Sequence, residues 1–147
     1  MKWFIALTVI AVLGGMTYVV AGVQQAIDDT GKEHSVACSK AMAGIGWKLP
    51  GNASDQRCTE VGGIFGATWS GSFRIPRADA RPWLASLPGD RSRPVNKAGP
   101  DGIAEWEDGL YLSIDSPPGH PQVDVVSVHA RWEGKDSAVV TFETFDY

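Results

Sequence analysis

VDVVSVHARW (Val123–Trp132), EGKD (Glu133–Asp136) and AVVTFETF (Ala138–Phe145) form the stretch that decides the fold. Apolar and polar residues alternate with a period of two. Val126, Val128, Ala130 and Trp132 share one face, and Ser127, His129 and Arg131 share the other. Successive side chains of a strand point to opposite sides, so this spacing predicts a half-buried strand. Glu133–Asp136 supplies a turn, and the returning segment puts Val140 and Phe142 on one side. The stretch therefore predicts an antiparallel hairpin with one face in the core and one in solvent.

Working outward, Leu110–Ile114 reads as a further strand, stopped by Pro117-Pro118-Gly119. Cys58–Val61 and Ala67–Ile75 are rich in β-branched and aromatic residues, with Gly62, Gly63, Gly66 and Gly71 read as turns or bulges and Pro76 as the end. His34, Cys38, Ala41, Met42 and Ile45 recur at helical spacing behind a Thr30–Glu33 capping box, which predicts a helix over 31–43. Asp79 is placed to cap a short helix through Trp83, Leu84 and Leu87, with Pro82 tolerable only in its first turn. Residues 88–108 read as a long exposed loop. The expected class is α+β: an N-terminal single transmembrane helix, then a small antiparallel-sheet domain covered on one side by one or two short helices.

The membrane segment is expected from composition. No charged residue occurs from Trp3 to Ile27, and WFIALTVIAVLGGMTYVVAGV (residues 3–23) is long enough to span a hydrocarbon core of ~30 Å. Residues 1–27 are read as a signal anchor and residues 28–147 as one domain. The alternative is a secretory signal cleaved after Val19-Val20-Ala21, but the apolar run outlasts that triplet. Lys2 precedes the segment and Asp28-Asp29 follow it. The N-terminus is thus expected to be cytoplasmic and the domain extracytoplasmic.

An oxidising compartment favours pairing of Cys38 with Cys58, the two cysteines of the chain. A metal site built on His34, Cys38 and Cys58 lacks a fourth ligand and the CxxC spacing, so no metal or cofactor is expected. With Lys2 set aside, 12 basic and 17 acidic residues leave a net charge of −5, which argues against nucleic acid as a partner.

Three histidines stand at positions 34, 120 and 129 without a G-x-S-x-G elbow to serve. Asp101, Glu105, Glu107 and Asp108 make an acidic loop without EF-hand spacing, for which solvation is favoured over weak calcium binding. Of the five tryptophans beyond the membrane segment, Trp83 and Trp132 fall on core positions. Trp47 and Trp106 fall in loops, where a ring can stack on a sugar or on a partner's apolar patch. These two are the expected binding residues. The expected function is a membrane-anchored, non-enzymatic protein presenting an extracytoplasmic domain that binds a protein or glycan or shapes the envelope. A hydrolase of envelope material and an accessory subunit of a membrane complex are the alternatives.

Overall fold

The computed structural model describes residues 30–63 and 66–147. The hairpin is there. Strand β6 (Val125–Glu133) pairs antiparallel with β7 (Ser137–Phe145), with Val128 opposite Phe142 and Ala130 opposite Val140. Around it are β1 (Glu33–Val36), β2 (Ser54–Gly62), β3 (Ala67–Pro76), β4 (Ala104–Trp106) and β5 (Gly109–Asp115). All seven strands form one antiparallel sheet in the order β1-β2-β3-β7-β6-β5-β4.

Two short helices, α1 (Cys38–Ile45) and α2 (Arg77–Ser86), cover one face. Cys38, Ala41, Met42 and Ile45 of α1 and Ala80 and Leu84 of α2 point into the core. The sheet meets them with Trp69, Phe73 and Ile75 of β3, Val140 and Phe142 of β7, Val126 and Val128 of β6, and Leu110, Leu112 and Ile114 of β5. Each strand contributes every second residue, as a one-sided sheet requires. Cys38 and Cys58 form a disulfide that ties the start of α1 to β2. Lys40 and the Trp69 indole N–H both bind the Glu60 carboxylate, at 2.9 and 3.2 Å, and hold it below the usual carboxylate range.

The expected α+β class is corrected. The described chain is mostly sheet, and its helices have only eight and ten residues. Among the described residues no helix is long and apolar enough to cross a membrane, and the expected span, residues 1–27, lies outside them.

The helix expected over 31–43 is corrected as well. Its first part is strand β1, whose Val36 pairs with Cys58, and the helix begins only at Cys38 behind Ala37, without a side-chain cap. The Cys38, Ala41, Met42, Ile45 face is real, whereas His34 prolonged it by coincidence of spacing. Pro82 stands mid-helix in α2, and Asp79 lies in the first turn, accepting a bond from Asn52 rather than capping. Pro82 and Ala78, four residues earlier, are both solvent-exposed, so the Ala78 carbonyl left without an N–H partner faces water. Gly71 is neither turn nor bulge. It sits mid-strand between Cys58 and Phe142, where a Cβ would run into Cys58 Sγ.

Thr144 closes the β3–β7 pairing. Its buried hydroxyl accepts from the Trp69 N–H at 2.8 Å and donates to the Trp69 carbonyl at 3.1 Å. The chain from α2 to β4 is held by Arg91, which donates to the carbonyls of Leu84, Ala85, Leu87 and Asp101 at 2.6–3.2 Å. A cation on the last carbonyls of a helix is favoured by their partial negative charge.

Candidate functional site

Both described helices pack on one side, and among the described residues no helix covers the other face of the sheet. Its side chains are the alternate residues of the same strands, and the register aligns them in two rows across five strands. One row runs Tyr111, His129, Thr141, Ser72, Arg57. The second runs Ser113, Ser127, Glu143, Ser70, Thr59. Four interstrand spacings make each row about 19 Å long. Between the rows lies a groove of about 660 Å³, floored by the backbone of Gly71 and of Leu112, Val128 and Phe142, whose side chains turn to the covered face. Val95, carried by the loop after α2, lines the groove together with Tyr111 and Ser113.

Six of the lining residues, Ser70, Ser72, Tyr111, Ser113, Ser127 and Thr141, carry hydroxyls, each able to donate and to accept a hydrogen bond. Thr59 and Ser70 bond each other at 2.9 Å. Arg57 and Glu143 make no ion pair or side-chain hydrogen bond among the described residues, and the groove thus offers one guanidinium and one carboxylate of its own. Arg74, beside this face, is by contrast taken up by Asp55 and by Glu133 at 2.6 Å, and the Glu133 carboxyl is lowered by that pairing.

The β5 end is aromatic. Tyr111 and His129 stack with ring centroids 3.8 Å apart and planes 16° from parallel, and Trp106 leans on Tyr111 at 4.7 Å. The Tyr111 hydroxyl donates to Asp108 at 3.0 Å, and burial together with that carboxylate raises its pKa. His129 Nε2 is enclosed, 3.7 Å from Asp108 Oδ2, with no hydrogen-bond partner among the described residues. Burial, helped by Arg131 and opposed by Asp108, pushes its pKa down, so at neutral pH the ring is an uncharged stacking surface.

The expected binding residues separate. Trp106 is 45% exposed and stands against Tyr111 at the aromatic end, lining a neighbouring recess with Lys97, Glu105, Glu107 and Asp108. Trp47 is only 4% exposed, and its indole N–H donates to the Pro88 carbonyl at 3.0 Å. Its ring serves the core and offers no platform. His120 packs edge-on to Trp69, while His129 is on the open face. The acidic loop is dispersed: Asp101 and Glu105 share Arg81, and Asp108 serves Tyr111. Among the described residues no three His, Cys, Asp or Glu side chains gather as metal ligands.

The groove itself escaped the sequence reading. Alternation had already put Ser127, His129 and Arg131 on the polar side, but assembling the rows needs the pairings of β2, β3 and β5. Comparison with protein-family models, with curated proteins and with solved structures finds no match to this chain.

Proposed function

We propose that this chain is a non-enzymatic, extracytoplasmic binding protein, exported by its apolar N-terminal segment, and that the open face of the sheet is its binding surface. The observation that carries the reading is the groove between the two cross-strand rows, on the face that neither described helix covers. An open antiparallel face needs only be polar to stay soluble. Here it also holds a ring stack at one end and, along its length, a guanidinium and a carboxylate that are unpaired among the described residues. The disulfide and the uncharged run at residues 3–23 support the extracytoplasmic setting.

The test is co-sedimentation of the purified full chain, kept in detergent, with detergent-extracted envelope material, so that the apolar N-terminal segment has no bilayer to enter. Thr141→Arg, which puts a charged arm into the groove, is expected to abolish sedimentation at unchanged melting temperature. Ala85→Arg, on the exposed side of α2, is expected to leave it intact. Equal sedimentation of the two variants, or none by the parent chain, contradicts the reading.

A further inference from the structure

We infer that the ligand of the open face is an uncharged oligosaccharide lying along the groove, across the strands. This rests on the binding-surface reading and adds the chemical class to it.

Charge comes first. The groove offers Arg57 and Glu143, one of each sign, and a His129 held neutral. A polyanion, whether nucleic acid or acidic polysaccharide, needs a cationic track that this lining lacks. A polycation meets the same mismatch. Balanced charge is complementary to a ligand with none.

Hydrogen-bonding capacity is the second argument. Ser70, Ser72, Ser113, Ser127 and Thr141 present hydroxyls from both walls. A sugar chain is a string of groups with the same dual capacity, and it can trade bonds with such walls in many registers. A protein partner would be served by an apolar, aromatic-rich centre with a polar rim. This groove instead carries hydroxyls along both walls and has its rings at one end. An extended peptide would add to a sheet edge, and the edge strands β1 and β4 have only four and three residues.

Shape is the third. The rows are about 19 Å long, which suits an oligomer rather than a single sugar. Tyr111 of β5 contacts His129 of β6 on one side and Trp106 of β4 on the other, so the ring faces left at this end for a pyranose are the outer ones of His129 and of exposed Trp106.

The experiment is calorimetric titration of the full chain in detergent with neutral hexasaccharides: cellohexaose, xylohexaose, maltohexaose and hexa-N-acetylchitohexaose. Oligogalacturonate and a mixed hexapeptide pool serve as comparators. Saturable binding of a neutral hexasaccharide is expected, weakened about tenfold or more by Thr141→Arg and, independently, by Tyr111→Ala. Ser127→Lys provides a second groove variant should either of these fail to fold. Overturning results are no binding by any neutral hexasaccharide, stronger binding of oligogalacturonate or peptide, or affinity unchanged in the groove variants. Co-sedimentation separates the two levels of failure. If Thr141→Arg still releases the chain from envelope material while all sugars fail, the class is wrong and the face is right. If co-sedimentation is also unaffected, both fall.

Discussion

Adding one methyl group at Gly71 should destabilise this domain through its disulfide. Gly71 pairs with Cys58 on the covered face, where the bridge to Cys38 lies over it. A Cβ there would overlap Cys58 Sγ and stand 2.7 Å from the Arg57 carbonyl oxygen. Overpacking of this kind costs about 1–3 kcal/mol, a large share of the ~5–15 kcal/mol that holds a domain together. The origin of the cost can be isolated. Replacing both cysteines by alanine removes a loop closure over a separation of 20 residues, worth about 3 kcal/mol on the chain-entropy model. It also removes the sulfur, leaving the backbone contacts to the Arg57 carbonyl and to the Cα of residue 58.

Gly71→Ala should therefore cost less on the cysteine-free background than on the parent, with a coupling of about 1 kcal/mol. Urea denaturation of the four chains measures it, with Gly71→Ala shifting the midpoint at constant slope within each background. Equal cost on both backgrounds would refute the idea that the bridge is what demands glycine there.

Three further outcomes are expected. Val128→Asp puts an unpartnered charge between Leu112 and Phe142 and should prevent cooperative folding, whereas Ser127→Lys, opposite Glu143 on the open face, should shift the urea midpoint little. Thr144→Val strips the Trp69 N–H and carbonyl of their partner and should cost about 1–3 kcal/mol by the same measurement. The depressed pKa of His129 means that the unfolded chain binds its proton more readily. Its stability contribution is complete above about pH 6.5 and is lost as pH falls from there through the lower folded value, so His129→Gln should flatten the pH dependence of stability in that window.

Legibility in the sequence followed locality. β5, β6 and β7 alternate so regularly that their faces could be assigned residue by residue, and the covered face of α1 was visible from Cys38 to Ile45. What could not be read was whatever a distant partner decides. β1 buries almost nothing, and only its pairing with β2 makes it a strand. Ser54–Arg57 is exposed throughout and lacks any apolar rhythm, yet it extends β2 past a register shift at which Asp55 meets Arg74. Trp47 looked like an exposed loop ring because its acceptor, the Pro88 carbonyl, lies 41 residues along the chain. The candidate site is the extreme case. Tyr111, His129, Thr141, Ser72 and Arg57 become neighbours through four separate strand registers, and nothing in their own surroundings in sequence joins them.

The measurement that tests the central claim most directly is a map of backbone amide shifts on the full chain as solubilised envelope material is added. The account predicts that perturbed amides concentrate along the two rows, from Tyr111 and Ser113 through Thr141 and Glu143 to Arg57. Perturbations confined to α1, α2 and the acidic loop, with the rows unchanged, would contradict it.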